Sequence, residues 1–526
     1  MRSALLLFFS IALLSLTSCR KDFETVPSNG TLAFSKDTIY LDTVFSNIGS
    51  STYRLKVYNR SSKDITIPSI RMGKNDSKYR MMVDGLTGID ENGDGIGEGK
   101  QFSNIELLAN DSLFVFIETT VDIAQYAAQN QTQFLYTDEI LFDGGSNLQK
   151  VNLVTLIQDA IFLYPKKFAD GSKESLLLGL DETGAEVRIN GFELDENDPN
   201  HGNEFLFTNQ KPYVVYGYAG IPSGKTLTIE AGARVHFHAE SGLIAQPGSS
   251  LQINGAPSQD PANPLANEVI FEGDRLEPLF SDIPGQWGTI WMRSGSNGNI
   301  NHATIKNATV GLLVENSNLG LHNSQIYNHT NVGILGRNAT INSTNTVINY
   351  AGQACLAAVG GSYDFTHTTI NNNWSSTRQF AVSLSNYQEN SDQSITPVPL
   401  THADFKNSII YSQNAIGLFL DIAPENPEVA FNTNFQHCLI KFRDAGTILA
   451  TNENYNFIRQ ELNGNIKNRD PKFFDLYTNQ LNIDSSSGAF QKGNLLYLIG
   501  FDIRGNARST ATAPDLGAYI AADFPD

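Results

Sequence analysis

Cysteine is scarce: the 526 residues hold three, and Cys19 closes the N-terminal apolar run. The other two, Cys355 and Cys438, carry no disulfide framework, and no Cys/His spacing fits a zinc site, so both read as small buried hydrophobes. Positive charge is scarce too. With 36 Lys and Arg against 55 Asp and Glu, the formal net charge is −19 and the basic residues are scattered, so no nucleic-acid partner is expected. Long hydrophobic runs are missing beyond residue 16. The one apolar run, Ala4 to Leu16, is too short to span a bilayer, so no transmembrane helix is expected in the mature chain.

That run follows Arg2 and ends in Leu16-Thr17-Ser18-Cys19, small residues directly before a cysteine, as in a lipobox. Residues 1–19 therefore read as a lipoprotein signal peptide, with Cys19 acylated to anchor the chain in outer-membrane lipid. Arg20, where Asp would favour inner-membrane retention, points outward. Cys19-Arg20-Lys21-Asp22-Phe23-Glu24 resembles the Lys-plus-acidic signal that exports Bacteroidota lipoproteins to the cell surface.

Two rhythms divide the rest into an all-β protein. Over residues 27–159, period-two strands such as Tyr53-Arg54-Leu55-Lys56-Val57-Tyr58 and Leu113-Phe114-Val115-Phe116-Ile117 alternate with polar turns, which predicts an Ig-like β-sandwich. Residues 160–223, with the acidic loop Asp195-Glu196-Asn197-Asp198, read as a junction and cap. From Gly224 to about residue 520, brief apolar triplets separated by Gly and Asn predict a right-handed parallel β-helix solenoid.

Spacing supports that solenoid. Ile305, Ile326, Ile348 and Ile370 lie 21, 22 and 22 residues apart, and Ile410 and Ile440 follow at 40 and 30, as when loops are inserted into coils. Three residues before each stands His or Asn: His302, Asn323, Asn345, His367, Asn407 and His437. These types tolerate unusual backbone angles and bond neighbouring backbone at turns, so the column reads as architecture in preference to a catalytic or metal ladder. Gly311, Gly333 and Gly417 mark a second column.

The chain resembles the right-handed parallel β-helix lipoproteins of Bacteroidota, through Phe34-Ser35-Lys36-Asp37-Thr38-Ile39-Tyr40-Leu41-Asp42-Thr43-Val44-Phe45, Lys211-Pro212-Tyr213-Val214-Val215-Tyr216-Gly217, Pro284-Gly285-Gln286-Trp287-Gly288, Asp502-Ile503-Arg504-Gly505 and Pro514-Asp515-Leu516-Gly517-Ala518-Tyr519. The resemblance implies architecture and no reaction.

Binding is expected where loops leave the coils. The insertion Asn371 to Gln379 carries Trp374 and Arg378, and Ser385 to Thr401 carries Tyr387; aromatic rings beside amides and Arg suit sugar rings, while Trp374 could equally pack its own loop. Trp287 and Trp291, at even spacing in one strand, are expected on the same side, in core or cap. Asp90-Glu91-Asn92-Gly93-Asp94-Gly95 offers calcium ligands at Asp90, Asn92 and Asp94 with Gly at position 6, although position 12 is Gln101 and position 8 is Gly97. Hydrolysis needs two facing carboxyls, and between residues 300 and 350 the only acid is Glu315. A polysaccharide lyase would need a base and a cation, for which Asp364, Arg378 and Asp404 are candidates. No catalytic motif stands out, so the sequence favours a non-catalytic surface lipoprotein that binds glycan or another envelope component, with a polysaccharide lyase as the alternative.

Overall fold

The computed structural model describes residues 24–524 other than 127–130, 144, 182, 259, 261, 391, 424–427 and 445–447. It is almost all β and divides into two compact units, the first ending at Asp159 and the second beginning at Ala160. Among the described residues no helix is long and apolar enough to cross a membrane.

In the first unit two sheets enclose one core. Val26–Pro27, Ile65–Met72, Gln133–Phe142, Gln149–Gln158 and Thr38–Phe45 form one sheet, with Gln101–Leu107 added beside Ile65–Met72; Ala33–Phe34, Tyr53–Tyr58, Ser112–Thr119 and Tyr79–Val83 form the other. Alternation drives the burial: in Ser112–Thr119, Leu113, Val115 and Ile117 face the core while Phe114 and Phe116 face outward.

The second unit is a stack of parallel strands, coil on coil. One ladder runs from Ile161–Leu163 to Ile466–Lys467 through eleven strands. The isoleucine column predicted from spacing is its spine: Ile305 pairs with Ile326, Ile326 with Ile348, Ile348 with Ile370, Ile370 with Ile410 and Ile410 with Ile440. All six are fully buried. The six His and Asn residues ahead of them all have positive φ, between 48° and 53°, the left-handed conformation that Asn tolerates better than most side chains. They therefore turn the corner of each coil.

A seventeen-stranded sheet supplies two further faces. Tyr218–Ile221, Gly242–Ala245, Ile290–Met292 and Val310–Glu315 stack on one of them, continued by 332–337, 354–359, Phe380–Ser385 and Leu418–Asp421. Thr226–Glu230, Ser250–Asn254, Asn297–Asn301 and Asn318–His322 stack on the other, continued by 339–344, 361–366, Leu400–Lys406 and Phe431–Gln436. Parallel stacking begins ahead of residue 224, because Ile161–Leu163 and Tyr213–Val215 already pair in the first ladder.

Beyond Lys467 the chain leaves the coils and lies along the outside of the eleven-stranded ladder. Leu481, Ile503, Ala518 and Tyr519 cover Val347, and Ile483, Ala489 and Leu516 cover Ile409 and Leu439. The C-terminal segment thus covers a flank of the stack.

Candidate functional site

The strand Ile290–Met292 buries Ile290 and Met292 and turns Trp291 outward. Parallel register continues that outward column through Leu313, Leu335 and Ala357, so the face beside the indole is apolar. Two hairpins rise over it. Ser175–Leu180 with Glu186–Glu193 supplies Leu178, Leu180 and Val187, and Tyr387–Glu389 with Ile395–Pro397 supplies Gln388. Between them lies a cleft of about 650 Å³. Its polar groups are fixed: Trp291 Nε1–H donates to Glu315 Oε2 at 2.8 Å, and Arg337 Nη1–H donates to Glu315 Oε1 at 2.9 Å. Arg293 holds the first hairpin through the Leu178 carbonyl and lies 5.6 Å from the centre of the Trp291 ring. From the stack, Trp291 and Val359 line the cleft beside the charged Arg293, Glu315 and Arg337, and apolar surface with a few oriented polar groups is the usual make-up of a ligand site.

The third face is polar and carries a charged cluster. Asp364 and Asp404 are register partners, and Lys406 Nζ lies 2.7 Å from Asp364 Oδ2 and 3.1 Å from Asp404 Oδ2. His402 Nε2 stands 3.5 Å from the same Asp404 oxygen. Burial works to lower the Lys406 pKa, but hydrogen bonds and charge from both carboxylates outweigh it and raise the pKa, so the ammonium stays charged and is no base. Along the strands the same outward column reads Asn299, Gly320, Asn342, Asp364, Asp404 and Asn434.

Two expectations need correction. Trp287 and Trp291 do not share a side: Trp287 is buried against Phe237, with ring centres 4.4 Å apart, and donates Nε1–H to the Lys306 carbonyl, because the regular strand starts only at Ile290. Asp364 and Asp404 do not meet Arg378, which is exposed in the turn after Thr369–Asn372; Lys406 and His402 take that place. Trp374 and Tyr387 lie at opposite ends of Phe380–Ser385, a strand about 20 Å long. Trp374 packs on Tyr350, while the Tyr387 hydroxyl donates to Asp421 and its hairpin borders the Trp291 cleft.

The loop with Asp90, Asn92 and Asp94 is exposed, and its side chains bond their own backbone: Asp90 accepts from the Gly93 and Gly95 amides, Asn92 from Asp94, and Asp94 from Ile96. Those amide bonds hold the Asp90 carboxyl below its ordinary pKa. At Gly97, position 8 of the loop, a Cβ would lie 2.3 Å from the Gly88 carbonyl oxygen, so no larger residue fits. Cys19 lies outside the described residues.

Sequence reasoning gave no site role to Glu315 with Arg337, to His402 and Lys406, or to a third group, Asp198, His201 and Glu204. A signal for the polar cluster existed. Asp364 and Asp404 are 40 residues apart, the same interval as Ile370 to Ile410, so one register places both pairs on adjacent coils.

No protein family matches the chain, and no curated protein does. Solved structures give faint likenesses: a family 123 glycoside hydrolase from Clostridium perfringens, TM-score 0.17 at 7% identity over 24% of this chain and 26% of that one; the periplasmic chaperone SfaE, 0.15 at 12% over 24% and 57%; and Dex49A from Penicillium minioluteum, 0.21 at 9% over 81% and 80%. The chain thus spans about a quarter and somewhat over half of the first two. Scores this far below 0.5 speak for neither ligand nor activity.

Proposed function

We propose that this chain is a surface-displayed outer-membrane lipoprotein, anchored through Cys19, in which an Ig-like sandwich carries a right-handed parallel β-helix that binds polysaccharide without cleaving it. The cleft over Trp291 carries this reading: an indole edge held by Glu315, a guanidinium beside it, and hairpin walls suit the apolar faces and hydroxyl rims of sugar rings. The test is a panel of acidic and neutral polysaccharides offered to the chain from Asp22 onward, scoring bound sugar and new reducing or unsaturated ends. Binding without new ends, weakened at least tenfold in Trp291→Ala, is expected. Binding indifferent to that substitution would defeat the cleft assignment. Anchoring is tested separately by palmitate labelling in cells, which should vanish in Cys19→Ala.

A second reading, glycan processing, is favoured by the adjacent carboxyls of Asp364 and Asp404 beside His402. Their pairing with a charged Lys406 weighs against it, since neither carboxylate is left free to act as a base. New chain ends that disappear in Asp404→Asn would establish it.

A further inference from the structure

The loop between Glu186–Glu193 and Leu206–Phe207 is pinched closed by its backbone. The Glu204 N–H donates to the Asp195 carbonyl at 2.9 Å, and Asp198 and Gly202 exchange both backbone bonds, at 3.0 and 2.8 Å. Leu194 and Phe205, at its two feet, are buried in the core of the stack. The tight turn needs Gly202 at φ +72°. It brings three side chains from a seven-residue stretch to one point: His201 Nδ1 lies 3.0 Å from Glu204 Oε1 and 3.3 Å from Asp198 Oδ1. All three ligand atoms fall within 4.8 Å of one another.

Here backbone amides and one imidazole hold the carboxylates, Asp198 Oδ1 accepting from the Asn200 and His201 N–H groups at 2.8 and 3.0 Å. The side chains of Asp198 and Glu204 are only 10% and 6% exposed, yet among the described residues no Lys or Arg forms an ion pair with either. Lys166 acts on Asp198 only from longer range. Glu204 spends one oxygen on the Asp195 amide, at 2.9 Å, which orients the other toward His201. The cluster on the polar face shows the contrast, because there the Lys406 ammonium fills the space between two carboxylates. Two withdrawn carboxylates facing one imidazole nitrogen are stabilised by a cation at the point they share.

We propose that Asp198, His201 and Glu204 bind a divalent metal ion of the zinc type, with three protein ligands and the remaining position left to water. Ligand atoms about 2.1 Å from a tetrahedral ion stand about 3.4 Å apart, close to the 3.0 and 3.3 Å that already separate His201 from the two carboxylates. Imidazole with carboxylate selects zinc, cobalt or nickel over calcium and magnesium, which prefer all-oxygen sets. The His201 side chain is 24% exposed, which leaves the ion a path from solvent. The bound ion cross-links the loop where the stack begins.

The test uses the full mature chain, without an affinity tag and stripped with chelator. Zinc titration calorimetry should show one equivalent bound at micromolar affinity or tighter, and cobalt should give the visible absorption of a four- or five-coordinate site. His201→Ala and Glu204→Gln should each weaken zinc at least tenfold, while His402→Ala leaves it unchanged. Glu204→Gln preserves size and its amide bond, and its unaltered metal-free melting temperature would show that the fold survives. Absence of zinc binding, binding that persists in His201→Ala, or calcium binding equally tightly at this site would each overturn the proposal.

Discussion

Two outward faces of the same stack share a backbone and differ in everything else. On the eleven-stranded ladder the outward column includes Val347, Ile409 and Leu439, all fully buried beneath the C-terminal segment. On the polar face the outward column is Asn, Asp and Gly and stays partly open to solvent except at Asp404, which is buried. Parallel strands satisfy their own hydrogen bonds from coil to coil, so backbone needs do not dictate what points outward. What differs is the cover: an apolar outward column must be hidden, and a polar one can meet ligand or water. Damage to the cover should therefore cost most. Leu516→Ala, at a fully buried side chain, is expected to lower stability by about 2–5 kcal/mol, and urea denaturation should show it. A loss under about 1 kcal/mol would mean that the segment merely rests on the stack.

Corner asparagines sharpen the contrast, because one conformation occurs in both settings. Asn407 and Asn338 both have φ +48°. Asn407 is buried and holds the C-terminal segment, accepting from the Asn494 N–H at 2.8 Å and donating to its carbonyl at 3.0 Å. Asn338 is exposed and donates only to Asn316, at 2.7 Å. Alanine loses the tolerance for left-handed backbone at each site, about 1 kcal/mol, and at residue 407 it also strands backbone groups of Asn494. Asn407→Ala should cost about 2–3 kcal/mol against about 1 for Asn338→Ala, read from parallel urea melts.

Acid should act on the covered face through His367. Its Nδ1 faces the Gly517 carbonyl at 3.2 Å and its Nε2 faces the Asn407 amide at 3.1 Å, a pattern that suits the neutral ring. Burial, helped by the Arg508 charge, pushes its pKa down to about 3. A folded pKa below the unfolded value of about 6.5 makes this contribution complete above pH 6.5 and erodes it as pH falls toward 3. At pH 5 the erosion is about 2 kcal/mol. His367→Asn, which keeps the corner geometry, should be less sensitive between pH 7 and 5 than the parent, and hydrogen exchange should report early opening of 468–524 in the parent alone. Equal sensitivity in both would remove His367 from that account.

Much of this architecture was legible and little of the site. Intervals of 21 and 22 between isoleucines, then 40 and 30, translate directly into the observed register, because inward stacking imposes one apolar residue per coil. The corner column was legible for a related reason: few residue types accept that backbone. Outward residues bear no such constraint. Trp291 was grouped with Trp287 because even spacing means one side only within an unbroken strand, and the corner between them leaves no mark in composition. Lys406 escaped notice because one of its two partners, Asp364, lies 42 residues away, across an inserted hairpin. His201 stands three residues from each of its carboxylates, yet only the backbone pinch makes that spacing a site.

The open face should give the smallest response, and its sign is distinctive. Lys406 pairs with Asp364 and Asp404 where side chains are 12–33% exposed, so solvent screens the attraction and Lys406→Met should cost no more than about 1 kcal/mol near neutral pH. The folded pKa of Lys406 is raised above its unfolded value near 10.5. Its contribution is therefore complete below about pH 10.5 and lost as pH climbs through the folded pKa. Parent and variant should differ in urea melts at pH 8 and converge toward pH 11. A gap that stayed constant over that range would show that the lysine stem packs against its neighbours and that the ammonium adds nothing. The polar face would then be held, like the covered one, by contact in preference to charge.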